Sequence, residues 1–266
     1  MNNNFIIKKI ENYGEMDKIH IYDEVAFEGL KKAGLLAYQT LEHVAPFVKV
    51  GVTTNELDKI IHDFMIANNA IPATLGYRGY PKSSCISLNH EICHGIPSDK
   101  KLVDGDILNI DVTAILDGWY GDTSRMFSVG KISAKAQNLM AVTLECLEEA
   151  IKIVRPGIHI GDIGATIAKI AHKNRFSVVE DFCGHGIGNE FHQDPNVLHY
   201  GNFDEGMILE EGMVFTIEPM INFGKKDIKM LPNGWTAITK DFSLSAQYEH
   251  MIGVTKNGCI IFTLPQ

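Results

Sequence analysis

The segment V-K-V-G-V-T-T-N-E-L-D-K-I-I beginning at Val48 is matched about 106 residues later by V-R-P-G-I-H-I-G-D-I-G-A-T-I beginning at Val154. Gly51 falls over Gly157, Leu57 over Ile163 and Ile61 over Ile167. A second pair follows in the same order: L-V-D-G-D-I-L-N-I-D from Leu102 lies over L-E-E-G-M-V-F-T-I-E from Leu209, placing Gly105 on Gly212 and Asp111 on Glu218. An internal repeat constrains the fold before any local pattern does, because both copies must form the same unit and bury their apolar faces together. A helical pattern precedes each copy. Phe27, Leu30, Ala37, Leu41 and Val44 recur at three- and four-residue spacings before Pro46, and Met140, Leu144, Leu147, Ile151 and Val154 do so before Pro156. Thr53 with Glu56 reads as a capping box opening the next helix. Each half is therefore expected to be two helices followed by strands. A pseudo-twofold would relate the halves, pack the strands into one curved sheet with helices outside, and put a site at the join.

The stretch N-I-D-V-T-A-I-L-D-G-W-Y-G-D-T-S-R, residues 109–125, predicts a two-stranded hairpin, since Asp117-Gly118 suits a type I′ turn with positive φ at both positions. That turn pairs Leu116 with Trp119, Thr113 with Asp122 and Asp111 with Ser124. Asp111 and Asp122 then share a face as diagonal neighbours, roughly 7 Å apart at their roots. Convergent carboxylates repel and resist desolvation, so they need a shared proton, a lysine or a divalent metal, or else must face solvent on the open side of the sheet. No lysine or arginine lies nearby in sequence on that face. The repeat places Glu218 in the equivalent strand, F-T-I-E-P-M-I, and a third strand-like run, S-A-Q-Y-E-H-M-I-G-V, holds Glu249. Four acids inside strands point to ligands for two cations with bridging carboxylates. His185, between glycines in F-C-G-H-G-I-G, offers a nitrogen ligand; alone it would read as a turn residue.

Composition narrows the partner. A formal net charge of -9 with no long basic run argues against nucleic acid or an anionic membrane, leaving a small or uncharged partner. No apolar run approaches the roughly 20 residues of a membrane helix, and M-N-N-N-F-I-I-K-K-I lacks a signal-peptide core. Cys85, Cys93, Cys146, Cys183 and Cys259 form no C-x-x-C pair, so a cytoplasmic chain with reduced thiols is expected.

The motifs C-H-G-I-P (93–97), N-I-D-V (109–112), G-D-T-S (121–124), C-G-H-G-I-G (183–188), F-T-I-E-P-M (215–220) and S-A-Q-Y-E-H (245–250) together resemble the type I methionine aminopeptidases, in the short bacterial form without an N-terminal zinc-binding extension. The resemblance runs from about residue 20 to the last residues. It implies the α+β pita-bread fold, two pseudo-twofold-related αβ halves with a curved antiparallel sheet. An N-terminal segment, 1–20, would precede one catalytic domain, 21–266, with halves of about 21–130 and 131–266. By resemblance Asp122, His185, Glu218 and Glu249 would bind one divalent ion and Asp111 a second, with Asp122 and Glu249 bridging; the donor set admits Co, Mn, Fe or Zn. Glu218 would also act as general base, His192 would hydrogen-bond the scissile carbonyl, and His94 would contact the substrate near the cleaved amide. The methionine side chain would lie among Tyr77, Tyr80, Cys85, Phe191 and Trp235. Thr74 departs from the family, many members of which have a cysteine there.

The implied activity is removal of the initiator methionine from nascent proteins with a small second residue, by hydroxide-like attack on the first peptide bond. The implied enzyme is a cytoplasmic monomer, with possible transient ribosome contact. The alternatives are an X-Pro aminopeptidase or prolidase-like enzyme, which usually carries an additional N-terminal domain, a non-catalytic peptide-binding protein of the same fold, and a calcium-stabilised domain, which His185 fits poorly.

Overall fold

The predicted duplication organises the backbone of the protein, seen in a computed structural model that describes residues 4–265. Two strands come first, β1 (Phe5–Asn12) and β2 (Glu15–Tyr22). The first half continues with α1 (Glu24–Val44), α2 (Thr54–Ala67), β3 (Ile71–Pro72), β4 (Cys85–Leu88), β5 (Glu91–Cys93), β6 (Ile107–Leu116) and β7 (Trp119–Ser128). The second half has α3 (Ala134–Lys152), α4 (Gly161–Lys173), β8 (Ser177–Val178), β9 (Gly184–Gly186), β10 (Gln193–Val197), β11 (Val214–Ile217) and β12 (Met220–Asn222). It ends with β13 (Ile228–Met230), β14 (Ala237–Thr239), β15 (Ser245–Gln247), β16 (His250–Thr255) and β17 (Gly258–Ile261).

The repeat extends to individual backbone bonds. The Gly51 N–H donates to Leu102 O at 2.8 Å, and Gly157 to Leu209 O at 2.9 Å. The Gly105 N–H donates to Val129 O at 2.8 Å, and Gly212 to Val254 O at 2.9 Å. All four glycines sit at φ between 90° and 96°, a left-handed conformation that a side chain would strain. The second set of bonds equates Val129 with Val254, and hence Ser124 with Glu249. Those two equivalent residues form an antiparallel bridge, so the pseudo-twofold passes between them.

The strands form several hydrogen-bonded antiparallel sheets, with β3-β6-β4 and β7 in the first half and β10-β9-β11-β16-β17 in the second, and helices cover them because their apolar stripes match. Leu30, Ala37, Leu41 and Val44 of α1 are buried, and Phe27 packs edge-on against Phe262. Helix α1 lies directly on β7 at Gly121, where any side chain would overlap the Ala33 backbone. In α3 the buried ridge is Leu139, Val142, Cys146, Leu147 and Ile151, while the expected Met140 and Leu144 are only half-buried. The face is turned by about one residue because α3 packs on both the sheet and α4. The Thr53–Glu56 capping box at α2 is formed as predicted.

The 109–125 hairpin has the predicted register: Leu116 faces Trp119, Thr113 faces Asp122 and Asp111 faces Ser124. Its turn residues, Asp117 and Gly118, have φ of 51° and 85°. Ahead of α1, β1 and β2 form a hairpin of their own through Tyr13-Gly14, seated against β10. No helix among the described residues is long and apolar enough to cross a membrane.

Candidate metal centre and substrate cavity

The carboxylates meet where the two halves join. Asp111 and Asp122 come from neighbouring strands, β6 and β7, and the Thr113 hydroxyl donates to Asp122 Oδ1 at 2.8 Å. From the other half, Glu218 follows directly on β11, held by Thr216 Oγ1 at 2.9 Å on one oxygen and by Gln247 Nε2 at 3.1 Å on the other. The Glu249 N–H donates to Ser124 O at 3.1 Å, which threads that acid into the same point from the strand end.

His185 enters on β9, squeezed between β10 and β11. Its glycine neighbours are a steric requirement, since side chains there would overlap the carbonyls of Thr216 and Asp194. Nδ1 lies 3.1 Å from Gly186 O, an arrangement that selects the Nδ1–H tautomer and leaves the Nε2 lone pair for the cluster. Nε2 is 3.7 Å from Asp122 Oδ2 and 3.6 Å from Glu218 Oε1. Ligand atoms of Asp122, His185 and Glu249 all lie within 4.8 Å of one another.

The electrostatics are those of acids that the protein itself leaves without a counter-charge. Burial lifts Asp111 to about 7. Asp122, Glu218 and Glu249 are pushed well above the carboxylate range, first by burial and then by one another or Asp111. Burial holds His185 down to about 4, so its imidazole is neutral. None of the four acids makes an ion pair with lysine or arginine among the described residues. Gln247 Oε1, whose amide touches Glu218, is buried without a partner among them. Buried carboxylates crowded by like charge, with one imidazole lone pair aimed among them, form a donor set that fits divalent cations.

A cavity of about 790 Å³ opens above the cluster. Every residue singled out from sequence lines it: Asp111, Asp122, His185, Glu218 and Glu249 at its base, with His94, His192, Tyr77, Tyr80, Cys85, Phe191, Trp235 and Thr74 around them. Tyr80 and Trp235 meet edge-on at 5.1 Å, and Tyr77 stacks on His192 at 5.2 Å. The Tyr80 hydroxyl is tied to backbone carbonyls, at 2.9 Å to Gly95 O, so its ring turns an apolar face to the space. The Thr74 hydroxyl likewise donates to Lys82 O at 3.1 Å. His192 sits against His185 with ring centroids 4.1 Å apart, and both His94 and His192 are held below the ordinary imidazole range, chiefly by desolvation.

Sequence reasoning missed the residues that hold the acids. Thr113, Thr216 and Gln247 each bond a carboxylate, and His199 Nε2 accepts the Glu218 N–H at 3.1 Å. Thr216 and Gln247 stand two residues before an acid in a strand, on the same face, a signal that alternation alone offers. Phe182 and Met220 also line the cavity, as do Ile7, Lys18 and His20 of the N-terminal hairpin.

Comparison with known proteins places these features in context. Residues 28–256 match metallopeptidase family M24. The methionine aminopeptidase of Rickettsia prowazekii is 53% identical over 247 residues, which is 92% of this chain and 95% of that protein. The methionine aminopeptidase of Escherichia coli (strain K12) is 54% identical over 239 residues, 89% of this chain and 90% of that protein. The crystal structure of the Rickettsia prowazekii enzyme superposes with a TM-score of 0.92, covering 92% of this chain and 100% of that one. The fold is shared more widely: prolidase from Pyrococcus furiosus, at 23% identity, gives a TM-score of 0.74 over 92% of this chain and 66% of its own.

Proposed function

The chain belongs to metallopeptidase family M24, as a metallo-aminopeptidase of pita-bread fold, and we propose that it removes the N-terminal methionine from peptides whose second residue is small. The observation that carries this reading is the cluster of buried, uncompensated acids at the floor of a cavity walled by aromatic rings. Asp122, His185, Glu218 and Glu249 would hold one divalent ion and Asp111 a second, with Asp122 and Glu249 shared. Such a pair supplies Lewis acidity and lowers the pKa of water so that a nucleophile exists near neutral pH.

The chain's own side chains account for the rest of the reaction. Tyr77, Tyr80, Cys85, Phe191 and Trp235 surround an unbranched thioether and exclude water from it. His192, kept neutral, presents an N–H that hydrogen-bonds the scissile carbonyl and stays with the oxyanion as charge develops. Glu218 takes the proton of the attacking water, and the Thr216 and Gln247 bonds fix its carboxylate for that transfer. His94 contacts the substrate beside the cleaved amide. The second residue lies against the acid cluster, where only a small side chain has room.

With Mn²⁺ or Co²⁺ added, purified protein is expected to release methionine from Met-Gly-Met and Met-Ala-Ser but not from Met-Lys or Leu-Gly peptides. Equal rates on all four would end the specificity claim. The substrate in this reading is the N-terminus of a newly made protein, met in the cytoplasm by a monomer in passing contact with the ribosome.

A further inference from the structure

The hairpin of β1 and β2 precedes residue 28, where the match to the family begins, yet it forms part of the cavity wall. It is firmly seated. Asn12 Oδ1 accepts the Met207 N–H at 3.0 Å, the Lys18 N–H donates to Asp194 Oδ2 at 2.8 Å, and the Tyr22 hydroxyl bonds Asn189 at 2.7 Å. The body of the enzyme is shaped to receive it: side chains at Gly188 and Gly206 would collide with Tyr22 and Tyr13.

Alternation gives the hairpin two faces. Ile10, Ile19 and Ile21 point into the core, while Ile7 and His20, cross-strand partners, lie on the other face and line the cavity. That second face is unfinished as a piece of protein surface. Ile7 is 56% exposed, and His20 Nδ1 is buried with no hydrogen-bond partner among the described residues. Because Nδ1 is buried, the edge of the His20 ring that lines the cavity carries Nε2, and an apolar side chain beside that imidazole edge matches what an extended peptide offers, an apolar group next to a backbone amide.

The position fits a particular part of the substrate. Asp194, which anchors β2, is two residues beyond His192, the group assigned to the scissile carbonyl. Ile7, Lys18, His20 and Asp194 line the same cavity as His192, so this wall is available to a peptide that extends past that carbonyl at roughly 3.3 Å per residue. We propose that the Ile7–His20 face of the N-terminal hairpin is a binding wall for the third and fourth residues of the substrate, with Ile7 packing on an apolar side chain and His20 hydrogen-bonding the peptide backbone. The inference rests on the aminopeptidase reading above.

The test compares Met-Ala-amide with Met-Ala-Ile-Ser-amide on the wild type, Ile7→Ser and His20→Phe, the last keeping the ring packed on Phe5 while removing the cavity-facing nitrogen. Each variant is expected to lower kcat/KM about fivefold on the tetrapeptide, through KM, and to leave the dipeptide within about twofold. Equal changes on both substrates, or no change on either, would overturn the proposal. The affinity of a tetrapeptide with a reduced, uncleavable first amide and a dye at its C-terminus, measured by anisotropy with Mn²⁺ present, reads binding without turnover: an affinity that drops in both variants supports the wall, and one that is unchanged rejects it. A wild-type protein that hydrolyses neither peptide would count against the peptidase reading, and the anisotropy result would still decide the hairpin.

Discussion

Apparent affinity for Mn²⁺ should fall as pH is lowered from 8 to 6. Asp111, lifted to about 7 by burial, is mostly ionised at the upper end of this interval and mostly protonated at the lower. A proton competing at one such carboxylate weakens ion binding about tenfold over the interval, or ~1.4 kcal/mol. Burial and mutual repulsion hold Asp122, Glu218 and Glu249 well above the carboxylate range too, so each of them that must give up a proton steepens the fall. His185, at about 4, stays neutral throughout and adds nothing. The sign is set by linkage: an acid whose folded pKa is raised above its unfolded value binds protons in the native state. The metal-free fold therefore gains stability from this group as pH falls through about 7 toward the unfolded value of about 4, just as the ion's contribution shrinks. Calorimetric titration at pH 6, 7 and 8, in buffers of different ionisation heat, measures both the affinity and the protons released. An affinity flat within about twofold, with no proton release, would refute this account of the cluster.

Glu218→Gln and Asp111→Asn should abolish turnover while leaving the circular dichroism spectrum unchanged; wild-type rates in either would remove the two-ion mechanism. Thr113→Val deletes the hydroxyl bonded to Asp122 without changing volume and should weaken Mn²⁺ binding about tenfold, read by the same titration. Gly121→Ala forces a methyl onto the Ala33 backbone and should destabilise the fold by about 2–3 kcal/mol in urea unfolding. An unchanged midpoint would mean that α1 can move off β7 freely.

Much of the site was legible because it hangs on positions where backbone chemistry leaves few choices. Asp117-Gly118 dictated a two-residue turn, the turn dictated the register, and the register put Asp111 and Asp122 on one face. Gly51, Gly105, Gly157 and Gly212 marked the same left-handed bends in both copies, so the repeat could be aligned through them. The acids stood out because strand interiors rarely hold them. Thr216, Gln247 and His199 did not, since hydroxyl, amide and imidazole groups are ordinary in strands and loops, and their role exists only through partners 2, 29 and 19 residues away in the chain. The first hairpin was hidden for a different reason. F-I-I-K-K-I-E-N and E-M-D-K-I-H-I-Y alternate imperfectly, with apolar side chains on both faces, and only Tyr13-Gly14 between them carried a turn signal. Short strands such as β14 and β15, held by β5 and β12, depend on neighbours distant in sequence and leave no periodicity to read.

The bridge between Ser124 and Glu249, equivalent residues on opposite sides of the pseudo-twofold, has a consequence for how activity is acquired. Two acids come from one copy of the duplicated unit, and two acids with the imidazole come from the other. A polypeptide cut near residue 130 would yield fragments that are each chemically incomplete, and hydrolysis would return only on reassociation. On the proposed ligand set, enzymatic competence would thus report that both copies have folded and docked, a proofreading of its own assembly that the symmetry builds in.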